Sequence, residues 1–173
     1  MSTATDITTT RTTTATSRRP EAGVAPFTAS TELATSLQRV LVDLVELHVQ
    51  GKQAHWNLVG RNFRDLHLQL DEIVEAAREQ SDTIAERMRA LHAVPDGRTE
   101  TVVATTTLPA FPAGEQDTVT VVDLITTRLA AAVDAVRQVH DTVDGEDPAT
   151  ADLLHGIVDD LEKLAWMVSA ENR

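Results

Sequence analysis

Five residues between positions 55 and 86 are of types that hold a cation: His55, His67, Asp71, Asp82 and Glu86. Their spacing is regular. His67 and Asp71 are four residues apart, as are Asp82 and Glu86, and eleven residues separate Asp71 from Asp82. Eleven residues are close to three α-helical turns, so these four side chains form one stripe along a helix. On that stripe His67 and Asp82 lie ~22 Å apart at about 1.5 Å per residue, too far to grip one ion within a single chain. The pattern is symmetric, however. The midpoints of His67–Glu86 and of Asp71–Asp82 both fall between Ala76 and Ala77. A second copy of the helix, antiparallel across a two-fold axis at that point, sets His67 against Glu86 of the partner subunit and Asp71 against Asp82 of the partner subunit. The small alanines permit close approach, and His55 lies across a tight turn from His67 and completes each cluster. Such a dimer carries two equivalent sites. Two imidazoles and three carboxylates suit Fe(II), and the carboxylates also stabilise Fe(III). Structural zinc sites prefer closed Cys/His tetrahedra, and the chain has no cysteine. A metal with too few side chains to saturate it leaves room for an oxidant.

The elements that must carry these residues read as four long helices. The first covers about 31–58, with Leu33, Leu37, Val40, Leu41, Leu44 and Leu47 at helical spacing. Gly60-Arg61-Asn62 stops it and restarts the chain in a second helix over about 63–92, closed by Pro95 and Asp96-Gly97. Residues 93–117 form a long connection with a short helix near 100–106. The third helix covers about 121–143, after the strand-like "TVTVV". Asp147 as N-cap and Pro148 as first residue begin a fourth that ends near 170. Tight turns make helices one and two, and three and four, antiparallel hairpins. The long link between the pairs crosses the bundle. The expected fold class is all-α, a ferritin-like four-helix bundle with one long crossover.

Composition agrees. Of 173 residues 42% are hydrophobic but only 3% aromatic, so the core is built from Leu, Val, Ile and Ala. Residues 1–27 are a Thr-rich, low-complexity tail expected to be disordered, and 28–173 are the folded domain. The tail's Arg11, Arg18 and Arg19 exceed Asp6 and Glu21 by one charge, so the total of −12 leaves −13 on the rest. That balance disfavours a strongly basic nucleic-acid surface and suits cations. No apolar run approaches a membrane span and no signal-peptide core is visible. The expected compartment is the cytoplasm.

The stretches "KQAHWNLVGRNF", "LHLQLDEI", "SDTIAERM" and "DPATADLLHGIVDDLEKLAWMVSAEN" resemble the Dps family of mini-ferritins, named for DNA protection during starvation. The resemblance covers about 30–172. It implies a hollow dodecamer that oxidises Fe(II), preferentially with hydrogen peroxide, and stores ferric mineral. It also implies a ferroxidase centre between two-fold-related subunits. His55, His67 and Asp71 then come from one subunit and Asp82 and Glu86 from the other. None of the five departs from the family pattern. Trp56 resembles the family tryptophan beside the centre, where it can give up an electron or quench a radical; packing is its other use. Asp152 matches the acidic positions that line pores for iron in this family, whereas Asp144, Glu146 and Asp147 are out of register. His155 forms D-x-x-H with Asp152, not the E-x-x-H of an intrasubunit di-iron site, and no E-x-x-H occurs.

Other residues have plainer uses. His48, seven residues before His55, reads as an interface histidine or accessory ligand, and Lys52 as a solvated surface residue or a partner for an interface carboxylate. Some members of the family bind DNA through Lys- or Arg-rich tails, so a nucleoid-associated, architectural DNA-binding role is the alternative to iron chemistry. Here the tail has three arginines and no lysine, and the body behind it is acidic.

Overall fold

The structure is a computed structural model and describes residues 27–172. Of the expected tail, residues 1–26 lie outside the described residues. Helix α1 is Thr31–Asn57, α2 is Phe63–Ala90, the short α3 is Thr99–Thr105, α4 is Thr118–Glu146 and α5 is Pro148–Ser169, followed by a 3-10 turn, Ala170–Asn172. Two residue pairs form a minimal parallel bridge: β1, Leu58–Val59, against β2, Gln116–Asp117. The α1–α2 and α4–α5 hairpins pack on each other through α1 on α4 and α2 on α5. The crossover therefore joins helices that sit diagonally in the bundle, as expected for the ferritin-like arrangement. Among the described residues, no helix is long and apolar enough to cross a membrane.

Each helix start has a local cause. Ser30 Oγ accepts from Leu33 N at 3.1 Å and caps α1. The α1–α2 turn depends on Gly60 at φ 121° and on Asn62 in the left-handed region. Helix α4 starts at Thr118, three residues before the sequence expectation, because Asp117 accepts from Thr120 N at 3.0 Å and from its hydroxyl at 2.8 Å. Capping and the burial of Val121 and Val122 overcome the strand preference of "TVTVV". Asp147 does occupy the N-cap position of α5. Its carboxylate accepts from Arg87 Nη2 at 2.6 Å and from the Thr150 hydroxyl, which ties the end of α2 to the α4–α5 turn.

Leu, Ile and Val side chains from all four long helices fill one core. Full burial of each large one contributes about 1.5–3 kcal/mol. The crossover is fixed by buried polar groups. Asp43, 1% exposed, accepts from Thr106 Oγ1 (2.9 Å), Thr107 N (2.7 Å) and Thr107 Oγ1 (2.5 Å). Arg128, 2% exposed, donates to Ala110 O and Leu124 O, both at 2.7 Å, and to Gln50 Oε1. Gln50 in turn donates to Pro109 O at 3.1 Å. Removing Asp43 or Arg128 would cut the crossover loose from α1 or from α4, and loss of Arg128 would leave the buried Gln50 Oε1 without its donor.

Helices α1 and α2 pack tightly at Gly51. A Cβ there would lie 2.8 Å from Val74 Cγ2, a branched side chain with little freedom to move. Gly51→Ala is predicted to destabilise the fold. Overpacking costs about 1–3 kcal/mol, against a helix-propensity gain of about 0.5–1 kcal/mol. The net loss of about 1–2 kcal/mol should lower Tm by about 2–8 °C, and adding Val74→Ala should recover part of it. A Tm equal to or above that of the unaltered chain would mean that the contact is slack.

Candidate metal centre

The close approach of α1 and α2 delivers the last turn of α1 to the first turns of α2. His55 Nδ1 lies 3.0 Å from His67 O, and His67 Nδ1 lies 3.1 Å from His55 O. The two rings stack with centroids 3.6 Å apart. A carbonyl oxygen only accepts, so both Nδ1 atoms carry the hydrogen and both Nε2 atoms keep their lone pairs. That is the tautomer a metal-binding imidazole needs, with its other nitrogen oriented by a backbone acceptor. Ligand atoms of His55, His67 and Asp71 lie within 4.8 Å of one another, and among the described residues no other set of three or more such side chains does. His55 is buried and the other two are half-buried.

Asp71 is held by a cation of the chain itself. Lys52 Nζ donates to Asp71 Oδ1 at 2.6 Å, and His55 Nδ1 lies 3.4 Å from the same oxygen. The Lys52 hydrogen bond, opposed by burial and helped by the Lys52 charge, holds the Asp71 carboxyl below its ordinary value. Its folded pKa is depressed, so the pair's contribution to stability is present above about pH 4 and lost as pH falls through the folded value. Lys52 is therefore not simply solvated: it engages Asp71 within one subunit and competes with any metal for that oxygen.

Asp82 and Glu86 do not join this cluster within one chain. Both are exposed farther along α2. Ala76 is half-buried, but Ala77 is 0% exposed and belongs to the subunit's own core. Only Ala76 of the expected alanine pair can face outward, because position 77 falls on the apolar side of α2. Midway along the stripe the exposed Glu75 and Arg78 form an ion pair at 2.7 Å. His48 is close enough to Glu75 to help, after Arg78, to hold its carboxyl below the ordinary value, and it stands outside the His55 cluster. Trp56 is 70% exposed, which excludes packing within the subunit as its use. Asp152 is exposed in the first turns of α5.

Two antiparallel hairpins with a diagonal crossover, and a His-His-Asp cluster on the outer face of the first hairpin, define a ferritin-like protein. The ferritin-like domain family matches residues 34–172. A DNA protection during starvation protein of Agrobacterium fabrum is 31% identical over 84% of this chain and 90% of its own. DNA protection during starvation protein 2 of Deinococcus radiodurans is 34% identical over 87% of this chain, and the match spans only 61% of that longer protein. The structure of Dps from Microbacterium arborescens in the high iron form aligns with a TM-score of 0.77 at 33% identity, covering 84% of this chain and 97% of that one. The chain belongs to the Dps family within the ferritin-like proteins.

Lys52→Met should tighten binding of a redox-silent dication such as Co2+ to the His55–His67–Asp71 cluster. The lost ion pair is partly exposed and worth about 0.5–1 kcal/mol, so titration calorimetry should read a two- to fivefold gain. Unchanged affinity would show that Lys52 yields the carboxylate without cost.

Proposed function

We propose that this protein oxidises Fe(II), preferentially with hydrogen peroxide, at centres shared by two subunits, and stores the ferric product inside a hollow dodecamer. The observation that carries the reading is the reciprocal Nδ1–carbonyl pair of His55 and His67, which leaves both Nε2 lone pairs free in a cluster that Asp71 joins. Across a two-fold axis between positions 76 and 77, Asp82 and Glu86 of the partner subunit complete the ligand set. The Glu75–Arg78 pair supports that axis. These residues are also symmetric about the same midpoint, so Glu75 of each subunit would meet Arg78 of the other, an attractive contact where like charges would repel. The high-iron form of the Microbacterium arborescens protein supports iron as the substrate.

In this reading iron is cargo rather than a resident cofactor. Two Fe(II) ions give one electron each, the O–O bond of hydrogen peroxide breaks, and its oxygens end at the oxidation level of water. Hydrolysis of Fe(III) to the mineral then releases protons. Consuming peroxide in a two-electron event avoids the one-electron reduction that liberates hydroxyl radical, and this protects DNA and the rest of the cell without DNA binding. A charge of −13 on the body disfavours contact with phosphates. Trp56, exposed beside His55, can donate an electron to a stray radical, and the chain has no tyrosine to share that duty. The exposed Asp152 lines the path for iron uptake, and this chemistry takes place in the cytoplasm.

A mixed-shell experiment tests the shared centre. A variant lacking His67 and Asp71 and a variant lacking Asp82 and Glu86 should each be nearly inactive as ferroxidases. Co-assembled at random, about half of the two-fold interfaces are mixed and each of these has one intact site, so roughly a quarter of the sites return. Activity no higher than that of the parents, in shells whose mixed composition is verified by mass, would reject the shared centre. Asp152→Asn should slow iron uptake while leaving oxidation at the centre measurable; unchanged uptake in an intact shell would reject the path.

A further inference from the structure

A second pair of histidines stands outside the proposed ferroxidase centre. His140, near the end of α4, and His155, in the second turn of α5, face each other across the hairpin with Nε2 atoms 2.7 Å apart. Their rings stack with centroids 4.6 Å apart at 28°. Each ring has a carboxylate on its other side. His140 Nδ1 lies 3.2 Å from Asp141 Oδ1, and His155 Nδ1 lies 3.7 Å from Asp152 Oδ1, the latter beyond a hydrogen bond but within strong electrostatic reach. Carboxylates only accept, so Asp141 favours hydrogen on His140 Nδ1 and leaves its Nε2 as a lone pair, the arrangement in which histidines ligate metals. The two Nε2 atoms converge on one point, which an N–H of His155 fills as a hydrogen bond or a bound cation can take in its place.

The surroundings can supply and complete that cation's shell. The pair lines a groove of about 560 Å³ between α4 and α5 that also holds Asp159 and Glu162. Glu162 is engaged by Arg137. Asp159, four residues after His155, lies on the same face of α5 and lines the same groove, which leaves the rest of a bound ion's shell to water. Tetrahedral coordination at about 2.0–2.1 Å requires the two nitrogens to be ~3.3 Å apart. The rings must open by less than about 1 Å, which rotation of the His155 side chain, 63% exposed, can provide.

We infer that His140 and His155 bind a divalent transition-metal ion of the zinc class, with Asp141 and Asp152 orienting the rings and water completing the shell. Imidazole donors select Zn2+, Cu2+ or Ni2+ over Mg2+ and Ca2+. The site lies at the end of the bundle opposite His55 and does not depend on the ferroxidase reading. It can be tested with Zn2+ in the full chain carrying His67→Ala and Asp71→Ala, which silences the α1–α2 cluster. One Zn2+ per subunit should be retained after dialysis near neutral pH. His140→Ala or His155→Ala should then weaken binding at least tenfold, and Asp141→Ala about tenfold. Crystals of the unaltered protein soaked in Zn2+ should show an anomalous peak within bonding distance of both Nε2 atoms. A failure to retain Zn2+, retention indifferent to both histidine substitutions, or soaked crystals without that peak would overturn the site and leave a hydrogen bond between the two rings.

Discussion

Helices α1 and α2 can lie as close as they do because position 51 has no side chain, and the first hairpin is organised around that contact. With Val74 seated against Gly51, the last turn of α1 comes within hydrogen-bond distance of the second turn of α2. There His55 and His67 exchange Nδ1–carbonyl bonds. The same proximity puts Lys52 on Asp71. One packing decision in an apolar seam thus sets the tautomers of two imidazoles and the partner of a carboxylate. The rest of the bundle holds this hairpin still. The crossover is laced to α1 and α4 by Asp43, Gln50 and Arg128, and the β1–β2 bridge anchors the chain just beyond His55 to the start of α4.

Much of this was legible in the sequence, because helices with a 3.6-residue apolar period announce themselves and connection lengths limit how they pair. The His55, His67 and Asp71 cluster was legible too, since two residues flanking a short turn must meet if the helices are antiparallel. What was not legible depends on contacts between distant segments. The parallel bridge is two residues long on each side and leaves no alternating pattern. Asp43 and Arg128 look like ordinary surface charges until the crossover folds over them. Lys52 has no local feature that pairs it with Asp71. The role of Ala77 was misjudged because the polar stripe and the core share a helix, and one residue rotates a side chain by about 100° from one face to the other.

The two hairpins also divide the chemistry. His55 and His67 sit where α1 ends and α2 begins; His140 and His155 sit at the opposite end, where α4 ends and α5 begins. Both pairs join the two helices of one hairpin near its turn, and both have Nδ1 beside an oxygen acceptor. They differ in what holds the rings. The first pair is locked by backbone carbonyls that cannot move without unwinding a helix. The second relies on side-chain carboxylates that are free to rotate. A rigid pair suits a site that must keep one geometry through a change of oxidation state, and a soft pair suits reversible capture.

The exposure of the two indoles has a photophysical consequence. With no tyrosine in the chain and tryptophans only at positions 56 and 166, near-ultraviolet absorption and intrinsic emission arise almost wholly from two chromophores. Both face solvent in the isolated subunit, at 70% and 64% exposure, so that subunit emits at the long-wavelength limit of indole in water. A surface that seals over either ring moves its emission to the blue. A paramagnetic ion held by His55 quenches the adjacent Trp56. The fold therefore carries a built-in fluorophore one residue away from a histidine of the proposed metal centre.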